Sequence, residues 1–520
     1  MTEPTSPPSF GEEAYRPQIH YTAADTWIND PNGLVHAGGL YHLFFQNNPY
    51  GRDHANMSWG HAVSSDLIHW SDRPVAIPCD DQEQIFSGSV VVDEGNTSGF
   101  GGPGRPPLVA VYTSAYAEDS PHHGVQAQSL AYSLDGGDTW AKHDGNPVLD
   151  RNSRDFRDPK VFRYTGPAGS YWVMVAVEAV ERKAVFYRSD DLLTWSHLSD
   201  FESKGKVGLI WECPDMFPLP VNGDPADVKW VLIINFNREE GQGGSAAVYF
   251  LGDFDGTTFS PASHGGSADD GAADTEYGWL DFGRDYYASV SYNNAPEDRR
   301  ILVGWMNNWD YARSLPTSPW RGAMALPREA ALRAQGGRLV LEQRVVPGLE
   351  SSGPKQSLGL LDVPEGVRSL PLECGTEPCL IDATFDAGSA TEFGLVFRQG
   401  GEEGTRLVYD VERGELTLDR RASGADLHPL FPSANRAPVG LVGDRLRLRI
   451  YLDAGSVEVF AQRGEVTFAE QIFPDPSSTG LSVYAAGGTA HLIGLTSTPL
   501  TPAPVVRERR PTHALGLSHR

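Results

Sequence analysis

The sequence lacks the features that mark several large classes of protein. It has only 4 cysteines in 520 residues, which does not define a disulfide framework. Cys374 and Cys379 are close enough to pair across a turn, but this spacing alone leaves the pairing open. No cluster of cysteine and histidine has the spacing of a zinc site, and we expect neither a metal ion nor a cofactor.

Long apolar runs and basic residues are also scarce. No run approaches the roughly 20 apolar residues that a membrane-spanning helix needs. Met1–Tyr15 contains neither the basic nor the apolar part of a secretory signal, which predicts a cytoplasmic protein unless an export signal is missing from this sequence. The 42 Lys and Arg residues are outnumbered by 68 Asp and Glu residues, so the net charge is −26. Such a chain should repel nucleic acid and anionic membranes, whereas its net charge would neither attract nor repel a neutral substrate.

Extended helical periodicity is nearly absent, and short β-rich segments alternate with turn residues. Examples are Leu40–Phe45, Tyr171–Val177 and Trp230–Ile234. The 56 glycines and 38 prolines are spread along the chain, as expected for a protein with many turns. This pattern predicts an all-β protein, and the length favours two domains.

A turn motif recurs in the N-terminal part of the chain. A Ser or Asp begins each copy, and an aromatic residue ends it, at Trp70, Trp140, Trp195 and Phe259. These aromatic residues are about 55 to 70 residues apart. The Ser or Asp side chain can cap a hairpin turn, and the aromatic residue can begin the next strand. One such hairpin in each blade predicts a five-bladed β-propeller with about four strands per blade.

The pattern changes after Pro327. Leu446–Leu452 alternates apolar and polar residues, so one face of this strand should be buried and the other exposed, as in an antiparallel β-sandwich. We expect this second domain to carry no catalytic group. The predicted organisation is a propeller over residues 1–335, a linker over 336–352, a sandwich over 353–500 and a flexible tail over 501–520.

Three acidic residues stand in short motifs that are far apart in the sequence. Asp30 lies in Trp27–Gly33, Asp158 lies between an arginine and a proline, and Glu212 follows Trp211. A proline pushes the residue before it toward extended geometry, which can fix Asp30 and Asp158 at strand ends that face one cleft. Each motif alone can also be an ordinary turn. Their co-occurrence favours a sugar hydrolase, because two positioned carboxylates are what hydrolysis of a glycosidic bond needs.

With these motifs the chain resembles glycoside hydrolase family 32, the β-fructosidases, which include invertases, exo-inulinases and levanases. The resemblance extends from about Arg16 to Leu500 and is more similar to bacterial and fungal exo-fructanases than to plant acid invertases. The strings that carry it are Trp27–Leu34, His42–Gln46, Trp59–Ala62, Phe86–Ser89, Phe156–Lys160, Trp211–Asp215, Gly304–Trp309, Pro319–Gly322 and Ser456–Phe460.

The resemblance implies a retaining double displacement through a covalent fructosyl intermediate. Asp30 would be the nucleophile, held ionised with the help of Asn29, and Glu212 would be the general acid and then the base. Asp158 would bind fructose hydroxyls and stabilise the oxocarbenium-like transition state. The residues implied to bind the terminal fructose are Trp27, Asn29, Gln46, His54, Trp59, Phe86, Ser87, Arg157 and Trp305. His54 departs from the family, since many members carry a Trp there, and it adds a titratable group to that wall.

Three other functions stay open at this point. Ser133–Trp140 fits a turn that sialidases repeat, although no arginine set for a carboxylated sugar is evident. A non-catalytic carbohydrate-binding propeller would be expected to lose at least one of the three acids. Fructosyl transfer to another sugar shares the covalent intermediate, and loops decide it. The prediction is an exo-acting β-fructosidase that hydrolyses terminal β-D-fructofuranosyl residues of levan, inulin and sucrose, with its preference among them and its oligomeric state undetermined.

Overall fold

The computed structural model describes residues 13–167, 169–205, 207–239, 241–262, 277–373, 377–425 and 427–507. Within these ranges the regular secondary structure is almost entirely β-strand, which confirms the predicted fold class: a β-propeller followed by a β-sandwich. Two short 3-10 turns, at Pro296–Asp298 and Ala312–Ser314, interrupt the strands. Over the same ranges, no helix is long and apolar enough to cross a membrane.

Three four-stranded antiparallel sheets follow one another at the start of the propeller. The first contains β1 (Trp27–Ala37), β2 (Leu40–Asn48), β3 (Ser58–Ser64) and β4 (Trp70–Ile77). The second contains β5 (Glu83–Val92), β6 (Leu108–Tyr116), β7 (Gln126–Ser133) and β8 (Ala141–Lys142). The third contains β9 (Phe156–Gly166), β10 (Gly169–Glu178), β11 (Lys183–Ser189) and β12 (Ser196–Phe201). In each sheet, strands that follow one another in the chain are paired.

A nine-stranded sheet supplies two further groups of strands. One group is β13 (Ile210–Val221), β14 (Asp224–Asn237), β15 (Ser245–Phe254), β16 (Phe259–Pro261) and β17 (Gly278–Trp279). The other is β18 (Tyr287–Ser291), β19 (Ile301–Trp305), β20 (Arg328–Gln335) and β21 (Arg338–Val345). The two groups meet through a parallel pairing of Val221 with Leu332.

The first strands of these five groups close into a ring. Strands β1, β5, β9, β13 and β18 each contact the next one, and β18 contacts β1. This arrangement is consistent with the five predicted blades, and we refer to the groups as blades. The first strand of each blade therefore lies at the centre of the propeller, where side chains from distant parts of the sequence can meet.

The repeated turn motif joins the third and fourth strands of the first four blades. In the first copy, Asp66 Oδ1 accepts hydrogen bonds from the backbone N–H groups of Ile68 and His69, at 2.9 and 2.8 Å. In the third copy, Asp191 Oδ1 accepts the equivalent bonds from Leu193 and Thr194, at 2.9 and 2.8 Å. The interpretation of the motif as a capped hairpin turn is confirmed.

Strand β21 lies inside the segment 336–352, for which the sequence predicts a linker. It pairs with β20 along its whole length, from Arg328 opposite Val345 to Gln335 opposite Arg338. Leu341 is buried in the same hydrophobic cluster as Leu332 of β20. The predicted linker therefore contains the outer strand of the last blade, because its apolar residues have a blade surface to cover.

Two antiparallel sheets form the C-terminal sandwich. One contains β22 (Gln356–Leu358), β23 (Leu361–Val363), β25 (Cys379–Asp386), β30 (Arg445–Asp453), β31 (Ser456–Ala461), β32 (Val466–Gln471) and β34 (Ala490–Pro499). The other contains β24 (Gly366–Glu373), β26 (Glu392–Gly400), β27 (Glu403–Asp410), β28 (Glu415–Asp419), β29 (Ala434–Pro438) and β33 (Gly480–Ala486). Leu446, Leu448 and Ile450 of β30 face their shared core, while the arginines between them are exposed, so the predicted alternation is confirmed as far as Ile450. Tyr451 is also buried, so the alternation predicted up to Leu452 ends there.

Residues 501–507, in the segment predicted to be a flexible tail, return to the first blade. The N–H group of Val506 donates to Trp70 O at 2.8 Å, and Val506 O accepts from the N–H group of Asp72 at 2.9 Å. Ala503 is buried in the same hydrophobic cluster as Trp70, which explains why this stretch lies against the blade. Residues 508–520 lie outside the described residues, and so does Cys374 of the possible cysteine pair.

The propeller and the sandwich share a buried, charged interface. Arg328 of β20 donates through Nη1 to Asp281 Oδ2 at 2.7 Å and through Nη2 to Glu458 Oε2 at 2.6 Å. His20 contacts Asp453 Oδ2 at 2.7 Å and Glu458 Oε1 at 3.0 Å. Burial lowers the pKa of His20, but its hydrogen bonds with the two carboxylates outweigh burial and raise the pKa to about 9. The buried charges at this interface are therefore paired.

Candidate active site

The three predicted carboxylates meet at the centre of the propeller. Asp30 lies on β1, Asp158 on β9 and Glu212 on β13, so each occupies the first strand of its blade. The sequence folds irregularly at each of these points. Register shifts interrupt the pairing of β1 between Ile28 and Pro31, and that of β13 between Glu212 and Asp215.

Prolines explain where these irregularities fall. Each motif has a proline directly after Asp30, Asp158 or Cys213, and a proline has no N–H group to donate to a strand ladder. Asp158 and Cys213 also adopt left-handed backbone conformations, with φ of 61° and 43°. Bulges of this kind turn side chains away from the sheet face. The motifs thereby direct their carboxylates toward the centre of the ring.

Asp30 is held by an amide donor and a hydroxyl donor, in addition to the thiol of Cys213. Asn29 Nδ2 donates to Oδ1 at 3.0 Å, and Ser87 Oγ donates to Oδ2 at 2.7 Å. Burial raises the pKa of Asp30, and the charge of Glu212 adds to this effect, while the two hydrogen bonds oppose it. The net pKa is raised, so the donors that were expected to favour the ionised form only partly offset burial.

Asp158 lies beside the other two acids and is fixed from one side. The backbone N–H of Cys213 donates to Asp158 Oδ2 at 2.9 Å. Burial raises the pKa of Asp158, and repulsion from Glu212 and Asp30 adds to the rise, while Arg157 lowers it. The three acids therefore behave as one interacting group rather than as three independent carboxylates.

Glu212 has hydrogen-bond donors at Oε2 and an ion-pair partner at Oε1. Tyr287 Oη and Asn237 Nδ2 both donate to Oε2, the second at 3.1 Å. Arg157 Nη2 lies 3.1 Å from Oε1, and Arg157 Nε lies 4.0 Å from Asp158 Oδ2. Arg157 is thus the cation shared by two of the three acids, and three groups, Tyr287, Asn237 and Arg157, fix the orientation of Glu212.

A cavity of about 410 Å³ opens at these acids. Such a volume falls in the range of small-molecule sites. The predicted residues that line it are Asp30, Asp158, Glu212, Asn29, Gln46, His54, Phe86, Ser87 and Arg157. The structure adds lining residues that the sequence did not single out, namely Gln126, Ile210, Asn237, Trp309 and Arg313.

The three predicted tryptophans lie behind the cavity instead of lining it. Trp27, Trp59 and Trp305 are fully buried. Trp27 Nε1 donates to Asn29 Oδ1 at 2.7 Å, and Trp59 Nε1 donates to Phe86 O at 3.0 Å, so both support residues that do line the cavity. The tryptophan that does line the cavity, beside Phe86, is Trp309, which stacks on Trp27 with ring centroids 5.9 Å apart. Tryptophan is large enough to fill the space between blades, which accounts for this difference from the prediction.

His54 does line the cavity, at the position where relatives often carry a tryptophan. Its ring meets Trp309 edge-on, with centroids 5.1 Å apart. Burial lowers the pKa of His54, and the positive charge of Arg313 lowers it further. The ring is therefore neutral near pH 7 and serves as an uncharged wall.

Cys213 is a contact of the site that the sequence analysis did not include among its binding residues. Its Sγ lies 3.4 Å from Asp30 Oδ2 and 3.6 Å from Asp158 Oδ2. Burial raises the pKa of the Cys213 thiol well above its usual range, and the negative charges of Asp158, Asp30 and Glu212 add to the rise. The thiol is therefore protonated, and it donates weakly between two carboxylates rather than acting as a nucleophile.

Paired carboxylates in the central cavity of a propeller supply the acid and the nucleophile that a glycoside hydrolase needs. The chain matches the model of the glycosyl hydrolases family 32 N-terminal domain over residues 20–343 and that of the family 32 C-terminal domain over residues 362–499. It belongs to this family, so the resemblance seen in the motifs is confirmed.

Individual relatives match over nearly the whole chain. The levanase of Bacillus subtilis is 42% identical over 503 residues, which are 95% of this chain and 71% of the levanase. A crystal structure of the exo-inulinase from Aspergillus awamori has a TM-score of 0.85 and 36% identity, covering 94% of this chain and 99% of that one. The β-fructofuranosidase of Schwanniomyces occidentalis, complexed with fructosyl-erythritol, has a TM-score of 0.83 and 28% identity, covering 95% and 99%.

Proposed function

We propose that this protein is a retaining, exo-acting β-fructosidase that removes terminal β-D-fructofuranosyl residues from levan, inulin and sucrose. The observation that carries this proposal is the convergence of Asp30, Asp158 and Glu212 on one cavity, with Arg157 between two of them. Relatives named as levanase, exo-inulinase and β-fructofuranosidase support the substrate class. The substrate is a neutral fructose-containing carbohydrate, and the reaction needs no redox step.

In the first step, Asp30 attacks C2 of the terminal fructose while Glu212 protonates the glycosidic oxygen. The C2–oxygen bond breaks as the bond from Asp30 to C2 forms, and the rest of the sugar leaves with the proton from Glu212. Tyr287 and Asn237 both donate to Glu212 Oε2. This leaves Oε1, on the side of Arg157, to exchange the proton with the leaving group.

In the second step, Glu212 removes a proton from water, which attacks C2 and releases fructose from Asp30. Both the attack and the release invert C2, so the configuration is retained overall. Asp158 Oδ2 is held by the N–H of Cys213. Its other oxygen, Oδ1, is therefore the one offered to the hydroxyl groups of fructose, where it can stabilise positive charge on the ring.

A product time course tests this function directly. Purified protein is incubated separately with sucrose, inulin and levan, and the products are separated by chromatography. We expect free fructose from the first time points, and relative rates that identify the preferred substrate. Early accumulation of di- and trisaccharides from the polymers would contradict exo action, and products longer than the substrate would indicate fructosyl transfer instead of hydrolysis. NMR of the first fructose released should show the β-anomer if configuration is retained.

A further inference from the structure

Two segments outside the acidic motifs supply key parts of the site. The segment 284–287 carries Tyr287, which donates to Glu212. The segment 308–313 carries Trp309 and Arg313, which line the cavity. Neither segment contains one of the three acids, and both lie where the propeller meets the sandwich.

Arg420, a residue of the sandwich, contacts both segments. It is fully buried, and its Nη1 donates to Asp285 Oδ2 at 2.5 Å. Its Nη2 donates to Tyr311 Oη at 2.6 Å, and Tyr311 Oη donates in turn to Asp285 Oδ1 at 2.5 Å. The guanidinium group of Arg420 therefore joins Asp285 to Tyr311. Asp285 lies two positions before Tyr287, and Tyr311 lies two positions after Trp309.

The sandwich also holds Arg420 itself in place. Its Nε donates to Phe431 O at 2.9 Å, and Nη1 donates to Gln471 O at 3.0 Å. Glu470 Oε2 lies 2.8 Å from Nη1. A planar group with this many fixed donors has one orientation, so it can transmit the position of the sandwich to the propeller.

A series of hydrogen bonds, linked through Tyr311 itself and through the peptide unit between Asn308 and Trp309, leads from this point to Glu212. The N–H of Tyr311 donates to Asn308 O at 3.2 Å, and the N–H of Trp309 donates to Ser245 Oγ at 3.1 Å. Ser245 Oγ donates to Asn237 Oδ1 at 2.8 Å, and Asn237 Nδ2 donates to Glu212 Oε2 at 3.1 Å. Arg420 thus reaches Glu212 by two routes, one through Tyr287 and one through Asn237.

We propose that Arg420 is a positioning residue for Glu212 and for the cavity wall formed by Trp309 and Arg313. The sandwich thereby takes part in proton transfer to the leaving group, although it contributes no group to the cavity itself. This inference rests on the role proposed for Glu212 as general acid. It predicts that loosening the contact with Arg420 impairs protonation of the leaving group more than it impairs attack by Asp30.

The test compares two Tyr→Phe variants of the full chain. Tyr311→Phe removes the hydroxyl that bonds to Arg420 and Asp285. Tyr15→Phe is a matched control, because Tyr15 belongs to the same hydrophobic cluster and donates to the sandwich carbonyls Phe473 O and Pro474 O. Arg420→Lys is a third variant that keeps the charge but loses the fork of donors. Thermal melting checks that each variant is folded at the assay temperature.

The readout is kcat/KM on two substrates that differ in their leaving group. Sucrose needs a proton on its leaving oxygen, whereas a 4-nitrophenyl β-D-fructofuranoside has a leaving group that departs without one. We expect Tyr311→Phe and Arg420→Lys to lower kcat/KM for sucrose by about tenfold or more, since general acid catalysis contributes about 10² to 10⁴-fold. For the nitrophenyl substrate we expect a loss of less than about threefold.

Each outcome tests either the role proposed for Arg420 or the proposed function on which that role rests. Equal losses on both substrates, or losses no greater than those of Tyr15→Phe, would overturn the role of Arg420. If Arg420→Lys is not folded, the comparison of Tyr311→Phe with Tyr15→Phe is sufficient to test the role of Arg420. Failure of the unaltered protein to release fructose from either substrate would instead overturn the proposed function.

Discussion

The centre of the propeller and the interface with the sandwich both bury several carboxylates, but in opposite electrostatic settings. At the interface, Asp453 and Glu458 share His20, and Glu458 also pairs with Arg328, so the pKa of each carboxyl is lowered despite burial. At the centre, Asp30 and Asp158 have raised pKa values. Burial and mutual repulsion raise each pKa more than Arg157 and the hydrogen-bond donors lower it. The ionised forms of Asp453 and Glu458 are therefore favoured in the folded protein, whereas those of Asp30 and Asp158 are disfavoured. Glu470, buried beside Arg420 at the same interface, resembles the centre, because burial raises its pKa to about 7.

Removing an acid from the centre should have the largest effect on activity and the mildest effect on stability. Asp30→Asn keeps the side-chain volume but removes the proposed nucleophile, and Glu212→Gln removes the proposed acid and base. We expect each to lower kcat on sucrose by at least about 10³-fold. The melting temperature of Asp30→Asn should stay the same or rise, because one of three repelling charges is gone. More than about a tenth of the original turnover in either variant would refute that residue's role.

Removing an acid from the interface should have the reverse effect. Glu458 accepts hydrogen bonds from Arg328 and from the N–H of Leu326, the second at 2.8 Å. Glu458→Gln leaves the buried arginine without its main partner, and we expect a loss of about 3 to 5 kcal/mol in the free energy of unfolding. Urea unfolding measures this loss, with Asp30→Asn as the comparison. If both variants were equally stable, the contrast between the two regions would not hold.

The interface should also respond to pH through His20. Its folded pKa of about 9 lies above the ordinary value of 6.5, so protonated His20 stabilises the fold fully below about pH 6.5. This contribution, on the order of 3 kcal/mol, is lost as the pH rises through 9. We expect the stability gap between the unaltered protein and His20→Gln to be wide at pH 6 and narrow at pH 9.5. A gap that does not change with pH would show that His20 is not charged in the folded protein.

The smallest expected effect concerns the wall of the cavity. His54→Phe keeps an aromatic ring there and removes a group whose pKa is already lowered by burial. Because the ring is neutral near pH 7, we expect kcat/KM on sucrose to change by about threefold or less. The pH–rate profile between pH 5 and 8 should keep its shape. A displaced profile would mean that His54 titrates during the reaction.

The acids and the general fold could be predicted from sequence because both have local signals. Each acid stands in a short string with a proline, and the hairpin motif recurs in the first four blades. The partners of Glu212 carry no such signal. Tyr287 reaches it because β18 of the last blade lies beside β13, and Asn237 lies there because β14 returns beside β13, with Asn237 opposite Ile210.

It was harder to predict which aromatic side chains are buried than to predict which short strings of sequence form the site. Trp27 and Trp305 stand in strings that carry site residues, yet they fill the space behind the cavity, and the half-buried Trp309 lines it instead. The packing of two blades determines which of several nearby aromatic rings faces a cavity. The residue pattern within one strand does not reveal this packing. The same limit applies to residues 501–507, whose pairing with the first blade depends on a surface built hundreds of residues earlier.

That last stretch has a topological consequence. The N–H of Ala503 donates to Gln18 O at 2.7 Å, so the segment that leaves the sandwich runs beside the segment that leads into β1. A short linker could therefore join these two segments, and the chain could be opened at an exposed loop elsewhere to give a circular permutant. In such a protein the linker would connect the first blade to the sandwich covalently at this point. Local unfolding of one of the two segments would then no longer release the other segment.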